Sequence, residues 1–196
     1  MKKYLPLLIC ILGFTATNAQ VDPLYAQYLT NPLLINPAYT GLNNNFNASV
    51  SYRKQWAGFD GSPSTTHATV HASLLDNRMG AGVIIVQDKI GINNNTDVLG
   101  TYAYKVDLGK NMLSFGLQGG MTQYRTNNGD LNVYDPNGPE FAGNPTVAKP
   151  TFGAGLILCS DRFFVGFSVP RMLKHTDSRM EDIQLYQQHF YLTAAF

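Results

Sequence analysis

Apolar and polar residues alternate over most of this chain. In "NMLSFGLQGGMTQYR", Leu113, Phe115, Leu117, Gly119 and Met121 fall on one face, and Ser114, Gly116, Gln118, Gly120 and Thr122 on the other. A period of two is the signature of a half-apolar β-strand. "TTHATVHASLL" repeats it, with Ala68, Val70, Ala72 and Leu74 opposing His67, Thr69, His71 and Ser73. In "TDVLGTYAYKVDL", Val98, Tyr102, Tyr104, Val106 and Leu108 oppose Thr101, Ala103, Lys105 and Asp107. Near the end Phe190, Leu192, Ala194 and Phe196 share a face, and near Phe46–Trp56 Ala48, Val50 and Tyr52 do. Met79–Gln87, Phe152–Cys159 and Phe163–Val169 are apolar on both faces or glycine-rich, which leaves their inward side open. The pattern predicts about eight strands and no amphipathic helix.

The connections carry a second pattern. "AGFDGSPS", "DKIGINNNT", Thr126–Pro150 and "RMLKHTDSRMEDIQL" read as long, and between them "DNR", "GK" and "SDR" are short. Strict alternation of this kind is expected of an outer-membrane barrel, with short periplasmic turns and longer outer loops. A soluble up-and-down barrel also alternates but turns its apolar face inward, and hydropathy alone does not separate the two. Composition tips the balance. Charged residues make up only 14% and aromatics 12% of the 196 residues, against about a quarter charged in ordinary soluble domains. The expected fold is an all-β, antiparallel transmembrane β-barrel of about eight strands, closed by itself or part of a larger one.

One stretch breaks the alternation. "NPLLINPAYTG", Asn31–Gly41, is largely apolar but carries two Asn-Pro pairs, Asn31-Pro32 and Asn36-Pro37. Each proline removes a backbone donor and biases the residue before it, so neither an α-helix nor a central strand can form. The reading is an irregular element that plugs the periplasmic mouth or docks a partner, with Asn31, Pro32, Asn36, Pro37, Tyr39 and Gly41 as its marked residues.

The first nineteen residues have the form of a secretory signal peptide: Lys2 and Lys3, an apolar run from Leu5 to Phe14, and small residues before Ala19. The apolar run is about ten residues, whereas a spanning helix needs about twenty. Cleavage there leaves Cys159 as the one cysteine, and 12 basic against 13 acidic residues. No basic stripe points to nucleic acid. The expected divisions are 1–19 signal peptide, 20–44 N-terminal periplasmic segment and 45–196 barrel.

Candidate chemistry is sparse. His67 and His71 share a strand face but lie about 13 Å apart at about 3.3 Å per residue, too far for one metal; they read as lumen-facing polar residues. Asp130, Asp135 and Glu140 cluster in "GDLNVYDPNGPEF". They are weak candidates for a Ca²⁺ contact, since their spacing is not that of an EF-hand. No Gly-x-Ser-x-Gly motif occurs, and the glycines of "GLQGG" and "GAG" read as relief of crowding within strands. No catalytic residue and no cofactor is expected. Trp56 and Phe59 at one end, and Tyr25, Tyr28 and Tyr39 at the other, fit interfacial aromatic belts.

The ordered set "DPLYAQYLTNPLLINPAYTG", "SYRKQWAGFDGSPSTTHATVHASL", "SFGLQGGMTQYR", "GAGLILCSDRFFVGFSVPRML" and "QQHFYLTAAF" resembles the PorP/SprF family. These are outer-membrane proteins of the type IX secretion system and gliding machinery of Bacteroidetes. The chain departs from the family at "QDKIG", where an Asn-Asp pair and a glycine are usual. Family members are also longer, so the chain is either a short paralogue or a truncated product. The resemblance implies a non-enzymatic outer-membrane component that supports secretion or surface attachment of cargo such as gliding adhesins. It also implies contacts with periplasmic lipoprotein partners linked to peptidoglycan. The alternative is a pore or small-molecule transporter.

Overall fold

A computed structural model describes residues 31–43, 45–127, 145–173, 175–176, 184–186 and 188–196. The 1–19 leader, Tyr25, Tyr28, and the loop residues Asp130, Asp135 and Glu140 lie outside the described residues.

Among the described residues ten strands follow two short 3-10 turns. They are β1 (Asn47–Lys54), β2 (Ser64–Leu74), β3 (Met79–Ile90), β4 (Asn93–Asp107), β5 (Asn111–Thr126), β6 (Thr146–Ser160) and β7 (Phe164–Val169), then β8 (His175–Thr176), β9 (Gln184–Tyr186) and β10 (Tyr191–Ala195). Eight of them form one antiparallel sheet in the order β1-β2-β3-β4-β5-β6-β7-β10, curved into a half-barrel; β8 and β9 pair separately. Among the described residues β1 and β10 are the two edges. No helix among these residues is long and apolar enough to cross a membrane, which says nothing about a β-barrel.

The faces are inverted relative to a soluble barrel. Leu117 is 62% exposed on the convex side, with Val98, Phe115, Met121, Phe152 and Leu192 also exposed. On the concave side Ser114 is 0% and Thr122 1% exposed, with Thr69, Thr151 and Ser168 equally hidden. Apolar residues outside and polar residues inside are what a lipid-facing wall requires, and this settles the alternative that alternation left open.

One expected loop is largely strand, and another is strand at its ends. "DKIGINNNT" is not a long connection: β3 and β4 pair out to Ile90↔Asn93 and turn on Gly91 and Ile92 alone. Gly91 has φ +58, the left-handed conformation that a two-residue hairpin demands and glycine adopts freely. Long and short connections therefore do not alternate without exception. Likewise β6 starts at Thr146, so Thr146–Pro150 belongs to the wall rather than to the expected loop. Pro150 is tolerated because β7 pairs with β6 only from Ala154 onward; on that side Pro150 sits at a local edge, where no donor is needed.

Candidate functional site

The proline-cut stretch lies inside the half-barrel. Pro32–Leu34 and Pro37–Tyr39 each form a single 3-10 turn with proline at its first position, where the missing N–H has no partner to lose. Asn36 caps the second turn, its Oδ1 accepting from the Ala38 N–H at 3.0 Å. Gly41, at φ +64, ends the segment before the chain runs to β1.

The wall is cut to receive this segment. Ser73, Gly80, Ala103, Gly116, Gly155 and Ser168 are laterally paired across β2 to β7, and so lie on one line across the sheet. All are small. A Cβ built at Gly116 would stand 2.0 Å from the Ala38 nitrogen, one at Gly155 2.1 Å from Asn36 Oδ1, and one at Gly80 2.1 Å from the Thr40 carbonyl oxygen. The backbone of Asn36–Gly41 thus passes where side chains would otherwise be. The glycines do relieve crowding, as expected, but the crowding comes from the inner segment.

Polar side chains of the wall then satisfy the segment's backbone. Ser168 Oγ donates to the Ile35 carbonyl (2.6 Å), and Ser114 Oγ to the Ala38 carbonyl (2.7 Å). Both backbone groups of Gly41 are held: its N–H donates to His71 Nδ1 (2.9 Å), and its carbonyl accepts from Lys105 Nζ, which also donates to Asn77 Oδ1. Asn31 Nδ2 donates to Thr69 Oγ1 (2.8 Å), and Asn36 Nδ2 reaches the carbonyls of Leu156 (3.2 Å) and Phe167 (3.5 Å). An irregular segment away from water must find partners for its backbone groups, and here the lumen-facing side chains provide them.

Among the described residues the apolar core clusters lie where segment meets wall. Leu33 and Leu34 pack on Ile84, Val86 and Leu99, while Ala38 and Leu42 pack on Ile157. Full burial of an aliphatic side chain is worth about 1.5–3 kcal/mol, so these contacts hold the segment as firmly as its hydrogen bonds do. Tyr39 sits between both groups, edge-on to His71 (6.2 Å) and Phe164 (6.4 Å). It is therefore not part of an interfacial belt. Trp56 and Phe59 are exposed at the opposite end.

His67 and His71 are both buried on the concave side. Among the described residues no group of three His, Cys, Asp or Glu side chains could hold a metal. Cys159 is a free thiol. Below the segment, on the side of the short turns, the half-barrel opens into a cavity of about 760 Å³ lined by Asp76, Arg78, Asp107, Lys110 and Asp161 among others. Sequence reasoning missed Ser114, Ser168 and Lys105 as anchors. Their signal, a polar residue on the face opposite the apolar one, was present but shared with every inward position.

A curved antiparallel sheet, apolar outside and holding its own N-terminal segment on the inner face, defines a membrane protein of the β-barrel class. The family model described as type IX secretion system membrane protein PorP/SprF matches residues 17–196. The chain belongs to that family, and it is a membrane component of the type IX secretion system. No curated protein and no solved structure matches it.

Proposed function

We propose that this chain is a non-enzymatic outer-membrane component of the type IX secretion system that acts as a scaffold rather than a conduit. It supports secretion or surface attachment of cargo such as gliding adhesins, and it contacts periplasmic lipoprotein partners linked to peptidoglycan. The observation that carries the reading is the occupied lumen. Asn31–Leu42 occupies the concave face and is bonded to β2, β4, β5, β6 and β7, which supports a scaffold over an open conduit. On this reading the segment is a plug at the periplasmic side. The polar cavity among the short turns then faces periplasmic partners, and the longer connections face cargo.

Orientation is tested by labelling whole cells with an impermeant maleimide at Asn137→Cys in a Cys159→Ala background. The reading expects labelling on intact cells; labelling only after the outer membrane is permeabilised contradicts it. Affinity purification from solubilised outer membrane then tests the partners, with periplasmic lipoproteins of the secretion system as the expected catch. Stable ion conductance in planar bilayers would instead support the pore reading.

A further inference from the structure

β7 stops at Val169, well short of the strand it pairs with, and the chain then turns into the half-barrel. Glycine again makes the room: a Cβ at Gly153 would stand 2.2 Å from the Pro170 carbonyl oxygen. That carbonyl accepts from Gln118 Nε2 at 2.9 Å, and the Met172 N–H donates to the Phe152 carbonyl at 2.8 Å. Between these two fixed points the Arg171 guanidinium crosses to β4 and pairs with Asp97 Oδ2, both side chains being largely buried. Among the described residues the buried Asp97 Oδ1 and Gln118 Oε1 find no hydrogen-bond partner. A chamber of about 20 Å³ separates this crossing from the N-terminal segment, with Leu34 on one side and Pro170 and Arg171 on the other.

We propose that Pro170–Met172 is a strap that closes the lumen a second time, on the side of the long connections, and that the Asp97–Arg171 pair is its latch. The two closures are separate in chain, in partners and in level. The segment is held by backbone-directed hydroxyls, a histidine and a lysine. The strap is held by the ion pair of Arg171, the amide of Gln118 and a main-chain bond to Phe152, among other contacts. Removing one member of a buried pair leaves a bare charge, a strongly unfavourable state that is relieved when water enters. Loss of either Asp97 or Arg171 therefore opens the chamber, while the segment stays seated.

The test uses the full chain in detergent micelles, so it does not depend on orientation in the cell or on the proposed function. Two single-cysteine reporters are made in a background carrying both Cys10→Ala and Cys159→Ala. Leu99→Cys reports from the chamber and Ile157→Cys from beneath the segment, and each rate is read relative to the same reporter with Asp97 and Arg171 intact, so that loosening caused by the reporter itself cancels. Their reaction rates with a soluble maleimide are measured with Asp97→Asn, with Arg171→Met and with the charge-conserving Arg171→Lys. The expected result is a rise of about tenfold or more at Leu99→Cys for the first two, little change for Arg171→Lys, and an unchanged rate at Ile157→Cys. An unchanged rate at Leu99→Cys overturns the proposal. An equal rise at both reporters also overturns it, because that marks general loosening rather than release of a strap.

Discussion

The Ser114 hydroxyl donates to the carbonyl of Ala38 across 2.7 Å, joining residues 76 positions apart. One member is an inward-facing residue of a membrane wall and the other the middle of an irregular N-terminal segment. The bond is one of a set that turns an open curved sheet into a filled one. Ser114→Ala and Ser168→Ala each leave a buried carbonyl without its donor. Each is expected to cost about 1–3 kcal/mol, read as a lower urea midpoint in micelles at unchanged strand content by circular dichroism.

The small-residue line makes a sharper forecast. Gly116→Ala places a methyl 2.0 Å from a backbone nitrogen, whereas the nearest atom to a methyl at the outward Gly100 is 3.7 Å away. Overpacking typically costs about 1–3 kcal/mol, and here backbone must yield. Gly116→Ala should lower the thermal midpoint of heat-modifiable migration, and Gly100→Ala should leave it in place.

Asn36 acts through both ends of its amide. Asn36→Asp keeps the acceptor for Ala38 but sets a carboxylate against the carbonyls of Leu156 and Phe167. It should therefore destabilise at least as much as Asn36→Ala, by about 1–2 kcal/mol or more. An aspartate as stable as asparagine, in urea titrations of the two variants, would show that those carbonyl contacts contribute nothing.

The convex face should behave as a lipid face. Leu117→Lys is expected to cost about 2–4 kcal/mol if it lies near the bilayer midplane, and a lysine nearer a strand end, at Val147, much less. The fraction of protein inserted into lipid vesicles measures both. Equal insertion of wild type and Leu117→Lys would mean that this face meets water.

The strand faces were legible because period two is a local signal. Ser114, Gly116 and Gln118 declare themselves inward within five residues, and that pattern carried the fold class. What lay beyond reach depends on register. Asp88–Ile90 and Asn93–Asn95 look like turn residues on propensity, yet pairing with their neighbours extends both strands through them. The line from Ser73 to Ser168 is invisible in the chain, since its members come together only when six strands are aligned. The prolines of Asn31–Gly41 ruled out regular structure without saying what would hold the segment. Pro170 and Arg171 read as the start of a loop, because nothing local marks a turn into a lumen.

Amide hydrogen exchange of the full chain in lipid nanodiscs tests the central claim most directly. If Asn31–Leu42 is seated in the wall, peptides covering it should exchange as slowly as those of β4 and β5, with the Gly41 amide held by His71 and the Ala38 amide by Asn36. Exchange as fast as that of the exposed Asn45 and Phe46 would contradict the account, because the segment would then lie outside the half-barrel and the lumen would be open.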